Sequence, residues 1–221
     1  MVQHPRPDSL ISTDEAMNYW QNVPASVDGM LGGFPSVSRI DLQGSRSFLA
    51  KLGIGKPRIS RALEGGAGIG RVTKGLLLDV AETVDIIEPV AKFTAGLVDT
   101  PGIGHIHNIG LQEWQPPQDV QYDLVWTQWC ACQLPDGLLI QYLEHCASAL
   151  APAGIIVFKE NLSIWGEDTY DEVDSAVTRT DESFRAIFNK AGLAIVRAEL
   201  QNRFPKGLLP VQMYALKPKG Q

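Results

Sequence analysis

Residues 63–78, LEGGAGIGRVTKGLLL, join the end of a β-type run to an apolar-faced helical run through a string of glycines. Strand, glycine turn and helix in that order open a doubly wound sheet, whose ligands sit beyond the carboxyl ends of the strands. The chain keeps the same alternation around this unit. Strand candidates are RALE leading into the glycines, TVDIIE (83–88), GHIHNI (104–109), YDLVWTQ (122–128) and GIIVFKE (154–160), most of them separated by helical segments. Thr180 reads as the N-cap of a helix over DESFRAIFNKAGL that Gly192 ends, and AIVRAELQ and PVQMYALK follow as a closing pair of strands able to form an antiparallel edge. Ahead of the sheet, Ser12 followed by Glu15 is a capping-box signal for a helix to about Gln21, and the loop SVDGMLGGF leads to a second helix near Ser45 to Leu52. The expected fold is α/β: a doubly wound, seven-stranded, mostly parallel sheet with an antiparallel edge strand, preceded by two N-terminal helices. The 221 residues should form one domain, with 1–10 flexible, 11–55 a helical extension covering the site, and 56–221 the core.

Charge and cysteine usage exclude several classes of function. A net charge of -6 with scattered Lys and Arg argues against a nucleic-acid or anionic-membrane surface, because phosphate binding needs a clustered basic face. No apolar run approaches the roughly 20 residues of a membrane span, and the start MVQHPRPDSL lacks the apolar core of a signal peptide. An intracellular monomer is expected, cytoplasmic with the nucleus as a second compartment. Cys130, Cys132 and Cys146 are odd in number and lack C-x-x-C spacing, so reduced, packed thiols are expected rather than disulfides or a thiolate metal site. His105 and His107 share one face of a strand without an evident third ligand, and no metal is expected. The H-E-x-x-H and G-x-S-x-G patterns of zinc proteases and serine hydrolases do not occur.

Three readings of the glycine turn compete. A P-loop requires Gly-Lys-Ser/Thr, whereas Gly70 is followed by Arg71 and Val72. A dinucleotide fingerprint, G-x-G-x-x-G, is weakened because counting from Gly66 through Gly68 puts Arg71 at its last position. The third, Glu64-x-Gly66-x-Gly68-x-Gly70, resembles the first motif of the S-adenosylmethionine methyltransferases and implies their class I, Rossmann-like fold. This cofactor has no pyrophosphate, so glycine serves there to let backbone approach a zwitterionic amino acid tail, and Arg71 could pair with its carboxylate. Glu88 ends the second strand, 18 positions after Gly70, where an acid can accept both ribose hydroxyls.

NYWQNVPASVDGMLGGF, EGGAGIGRVTK, GLQEW, QWCACQLPD, KENLSIWGEDTYDEVDSAVTR and PVQMYALKP together resemble the protein α-N-terminal methyltransferases, most closely their fungal members, from about Tyr19 to Lys217. The resemblance implies methyl transfer from S-adenosylmethionine, leaving S-adenosylhomocysteine, to the free α-amine of proteins that begin Xaa-Pro-Lys or Xaa-Pro-Arg after Met removal. It points to ribosomal proteins with such termini as substrates. It also implies that Gly66, Arg71, Glu88, Leu111, Gln112 and Gln128 contact the cofactor, with Trp20 over that site and its ring suited to a sulfonium. Trp129 matches the position that packs on the substrate's Pro, and Leu31 with its Gly neighbours the lining of the channel for the terminal residue. A small-molecule amine methyltransferase and a noncatalytic cofactor-binding scaffold remain alternatives.

A terminal amine has a reference pKa of about 8 and must lose a proton before it can attack a methyl group. The resemblance assigns this to Asn161, which holds the amine, and Asp174, the candidate base, with Asp171 pairing with the third-residue Lys or Arg. If 171–174 is one helical turn, both carboxylates share a face. Residues Glu160 to Ser175 carry six carboxylates and no Lys or Arg, and acids close to the amine would stabilise its ammonium form. Glu167, Asp168 and Glu172 are therefore expected to point to solvent and steer basic substrates. The chain departs from the family pattern at Gln133, where relatives carry a His proposed as a second base. A Gln amide can orient an amine but cannot take its proton.

Overall fold

In YDLVWTQ successive side chains enter opposite faces of a sheet, and both faces are covered: Leu124 and Trp126 belong to one apolar core, Val125 to the other. Ile155 and Val157 alternate in the same way with Ile156 and Phe158. This double burial, rather than simple amphipathic alternation, is what gives these strands their continuous apolar runs. The structure, a computed structural model, describes residues 5–220.

The extension comprises α1 (Thr13–Asn22), the single turn α2 (Val27–Met30) and α3 (Val37–Lys51). Strand β1 (Ile59–Gly65) follows, then the glycine turn and a π-helical stretch, Thr73–Leu77, that runs into α4 (Leu78–Val80). Next come β2 (Ala81–Ile87), α5 (Ala91–Thr94), β3 (Ile103–His107), β4 (Tyr122–Gln128), α6 (Asp136–Ser148) and β5 (Leu150–Asn161). A small hairpin of β6 (Thr169–Asp171) and β7 (Ala176–Thr178) precedes α7 (Asp181–Lys190), β8 (Leu193–Leu200) and β9 (Val211–Pro218). The main sheet has seven strands in the order β3-β2-β1-β4-β5-β9-β8. The first five pair in parallel, and β9 is inserted antiparallel between β5 and β8. The expected closing pair therefore forms, with its antiparallel strand one place in from the edge.

Helices α6 and α7 cover one face through Leu139, Tyr142, Leu143, Phe184 and Phe188, and α3 with the π-helical stretch covers the other through Phe48, Leu49, Leu76 and Leu77. Thr180 caps α7 as expected, its Oγ1 accepting from Ser183 N at 3.1 Å, and Ser12 caps α1 by accepting from Glu15 N at 3.3 Å. Helix α3 begins eight residues before the expected Ser45, because Asp41 and Ser45 occupy its buried face together with Phe48 and Leu49. Polar residues there hide the apolar period that sequence reading relies on. The expected loop SVDGMLGGF contains α2, capped by Ser26 Oγ, which accepts from Gly29 N at 3.1 Å.

Asp171 to Asp174 is the tip of the β6–β7 hairpin and not a helical turn: Asp171 Oδ1 accepts from Val173 N at 2.9 Å and Ser175 has a φ of 53°. Of the segment 1–10, positions 1–4 lie outside the described residues, while Pro7–Leu10 forms a 3-10 turn whose Asp8 is buried and accepts from Asp136 N.

Phe158 joins the sheet to α7, its ring 5.2 Å from Phe184 and 5.1 Å from Phe188, and is fully buried. Phe158→Ala should cost about 3–5 kcal/mol, read as a lower urea midpoint at unchanged slope.

Candidate active site

The carboxyl ends of β1, β2 and β4 meet the extension at a cleft enclosing about 1060 Å³ free of protein atoms, part of it open solvent. Gly66 and Gly68 form its floor with φ of 67° and 55°, in the left-handed region that favours glycine. A Cβ on Gly66 would stand 2.3 Å from Cys130 Cβ, leaving no room for a side chain, and one on Gly68 would stand 2.7 Å from Sδ of the flexible Met30. Glu88, just past β2, holds this turn: Oε2 accepts from Gly68 N and Oε1 from Val90 N, both at 2.8 Å. Burial pushes its carboxyl above the usual range, against those two N–H groups. Beneath the turn Glu64, which also lines the cleft, accepts from Thr73 Oγ1, and burial pushes its carboxyl up to about 7.

The far wall is the segment after β4. Gln128 receives Trp126 Nε1 on its Oε1 at 3.0 Å, and its Nε2 donates to Asp41 Oδ1 at 2.9 Å. Trp129 follows with a φ of 52°, the Arg71 guanidinium 5.4 Å from its ring centroid and its Nε1 buried without a partner. The turn beyond is pinned from beneath. Glu160 Oε1 accepts from Cys130 N at 2.9 Å and Ala131 N at 3.0 Å, and fully buried Arg179 donates through Nη2 to Leu134 O at 2.6 Å. Gln133 is thereby presented to the cleft, with its Nε2 at a long 3.5 Å from Asp174 Oδ2. The other oxygen of Asp174 is buried without a hydrogen-bond partner. Desolvation, and secondarily the charge of Asp171, push its carboxyl up to about 6. Tyr19, on α1, is shifted upward by burial and by Asp174 and Asp171.

Of the residues singled out from sequence, Gly66, Arg71, Glu88, Leu111, Gln112, Gln128, Trp20, Trp129 and Gln133 line this cleft. Leu31, Asn161, Asp171 and Asp174 do not. Leu31 is the half-buried C-cap of α2, and its neighbour Met30 faces the glycines instead. Asn161 is half-buried at the end of β5, in register with Val211. Asp171 is exposed on the hairpin, and Asp174 reaches the cleft only through Gln133. Glu167 and Glu172 are exposed as expected. Asp168 is half-buried and accepts from Thr180 N at 2.8 Å, which makes it a brace for α7 and not a steering charge.

Arg71 is paired with Asp41 at 2.7 Å, and Asp41 also contacts Lys159 at 2.6 Å. Sequence reading missed both partners. Asp41 gave no signal, but a Lys inside the buried run GIIVFKE was a visible anomaly, since buried charges need partners. Among the described residues no group of three or more His, Cys, Asp or Glu is placed to hold a metal, and no helix is long and apolar enough to cross a membrane.

The cleft fits a nucleoside carrying an amino acid and a sulfonium. The glycine floor allows backbone contact, two carboxyl groups, Glu88 and Glu64, line the cleft, and Arg71 is the one basic side chain among the described lining residues. Sheet order and glycine turn together define the class, the S-adenosylmethionine-dependent methyltransferases of Rossmann-like fold. A SAM-dependent methyltransferase of Leishmania major superposes with a TM-score of 0.86 at 38% identity, over 92% of this chain and 82% of that one. The DhpI–SAH complex shares the fold at a TM-score of 0.66 and 18% identity, over 94% of this chain and 97% of that one.

A family described as AdoMet dependent proline di-methyltransferase matches residues 8–217. The Alpha N-terminal protein methyltransferase 1 of Schizosaccharomyces pombe is 44% identical, over 92% of this chain and 95% of that protein. The N-terminal Xaa-Pro-Lys N-methyltransferase 1 of Danio rerio is 40% identical, over 92% and 94%. The chain belongs to this family, the α-N-terminal protein methyltransferases.

Glu88→Ala leaves the N–H groups of Gly68 and Val90 without their acceptor. It should weaken S-adenosylhomocysteine binding at least tenfold, about 1.5 kcal/mol or more, by titration calorimetry. A dissociation constant within twofold of the parent would remove Glu88 from the site.

Proposed function

We propose that this enzyme methylates the free α-amino group of protein chains beginning Xaa-Pro-Lys or Xaa-Pro-Arg, with Asp174 as the base. The observation that carries this reading is the state of Asp174: a half-buried carboxylate beside Gln133 at the cleft edge, one oxygen buried without a partner. An orphaned acceptor in such a place suits a ligand that brings N–H groups. Its raised pKa, about 6, makes it a stronger base than an ordinary aspartate yet leaves it ionised at neutral pH. S-adenosylmethionine, when bound, supplies an electrophilic methyl group.

The remaining roles follow from position. The Trp129 ring, fixed by its own backbone and by Arg71, offers a flat apolar surface to a preformed pyrrolidine. Asn161 is assigned the holding of the amine on the family pattern. Gln133 can orient the amine but takes no proton, so proton removal falls to Asp174, directly or through water. Asp171, exposed on the hairpin, meets the basic third residue in solvent, where an ion pair contributes about 1 kcal/mol or less.

Two outcomes test these assignments on an Ala-Pro-Lys peptide. The Asp174 carboxyl lies above its ordinary value, so its base form is present above about pH 6 and is lost as the pH falls through that value. The rate should decline on acidification around pH 6, and Asp174→Asn should lower kcat by roughly 10²–10⁴ and abolish that limb. Retention of the limb in the variant would assign it to another group. Asp171→Asn should raise KM about two- to fivefold at unchanged kcat. A collapse of kcat would place Asp171 with the reacting groups.

A further inference from the structure

The cleft's basic residue is held by a side chain from outside the sheet. Arg71 Nη1 donates to Asp41 Oδ2 at 2.7 Å, and Asp41 sits on α3, in the N-terminal extension, with no exposed surface. The other oxygen of Asp41 lies 2.6 Å from Lys159 Nζ and 2.9 Å from Gln128 Nε2. Lys159, on β5, is fully buried, and its ammonium also donates to Ser45 Oγ and Gln201 Oε1, each at 2.9 Å. One carboxylate thus fastens two cleft-lining side chains, Arg71 and Gln128, to the helix that covers them.

The charges of this group add to one. Asp41 alone would cancel Arg71 and leave the cleft nothing with which to attract an anion, and buried Lys159 restores the missing positive charge. A merely structural tie between helix and sheet would be served by an apolar contact, which carries no desolvation cost. A guanidinium anchored at one nitrogen keeps its remaining N–H donors in a fixed plane, with less freedom to lose when it binds a carboxylate.

We propose that Asp41 is a positioning residue for the cofactor's amino acid tail: it orients Arg71 toward the tail carboxylate, and Lys159 compensates its charge. The N-terminal extension is then part of the cofactor site as well as its cover. The proposal rests on the reading of Arg71 as the carboxylate's partner, and the experiment separates the two.

The probes are S-adenosylhomocysteine, which has the tail, and 5′-methylthioadenosine, which lacks it. Their dissociation constants are measured by calorimetry on the full chain, and their ratio is the readout, because a general loss of stability weakens both ligands alike. Arg71→Met should lower the preference for the tailed ligand by about 10- to 100-fold. Asp41→Asn keeps the size of the side chain and removes the charged acceptor that orients Arg71. The preference should fall roughly five- to tenfold, with 5′-methylthioadenosine bound as before. Adding Asp41→Asn to Arg71→Met should cost no further preference, since the first acts through the second.

Lys159→Met gives a second route should Asp41→Asn fail to fold. With Asp41 neutralising Arg71 alone, the cluster's charge falls to zero, and the preference should again drop while the tailless ligand is unaffected. If Arg71→Met lowers the ratio and the variants at 41 and 159 leave it within twofold, the positioning role is overturned and Arg71 stands alone. If Arg71→Met itself leaves the ratio unchanged, the carboxylate is held elsewhere and both readings fail.

Discussion

The cleft depends on one carboxylate holding two backbone N–H groups. Glu88 receives Gly68 N and Val90 N at 2.8 Å each, and so joins the turn after β1 to the end of β2. Hydrogen bonds to a charged acceptor are worth about 1.5–3 kcal/mol each, and here they oppose, without cancelling, the desolvation that raises this carboxyl's pKa. The left-handed backbone at 66 and 68 favours glycine, Cys130 closes on position 66 from the far wall, and Met30 packs on position 68 from the extension. The turn is thus fixed by one acid from inside and by two unrelated segments from outside. A bound nucleoside would meet a surface already formed, with little ordering left to do.

A second tier of buried charge supports the substrate side. Glu160 takes two N–H groups of the turn after Trp129, Arg179 takes a carbonyl of the same turn, and Asp41 ties Gln128 and Arg71 to α3. None of these groups needs to touch a substrate to matter. Together they hold Trp129 in a left-handed backbone conformation that a bulky residue adopts only when its surroundings impose it. Asp174 differs from these acids: one of its oxygens is buried and accepts no hydrogen bond among the described residues.

Much of the sheet was legible because strands buried on both faces write continuous apolar runs, and YDLVWTQ coincides with β4 residue for residue. The glycine turn was legible because close backbone approach demands one residue type, and Glu88 was legible as the acid that ends the second strand, while its hold on Gly68 N and Val90 N was not. Helix α3 and the β6–β7 hairpin were not. The buried face of α3 carries Asp41 and Ser45, whose partner Lys159 lies 118 and 114 residues along the chain, and no local period encodes such a pairing. The hairpin is set by an aspartate turn and a left-handed serine, where a helical turn would have put both carboxylates on one face. That difference separates Asp171, at the surface, from Asp174, in the cleft's margin, and gives the two acids unequal environments that charge counting could not supply.

Tandem mass spectrometry of an Ala-Pro-Lys peptide incubated with S-adenosylmethionine, beside the same peptide acetylated at its terminus and an Ala-Ala-Lys analogue, reads whether methyl transfer goes to the terminal amine of a chain whose second residue is Pro. Methyl groups on the terminal residue of the first peptide, with none on the acetylated one and little on the analogue, is the predicted result. Transfer to the lysine side chain, or no transfer to any Xaa-Pro-Lys peptide, would contradict it.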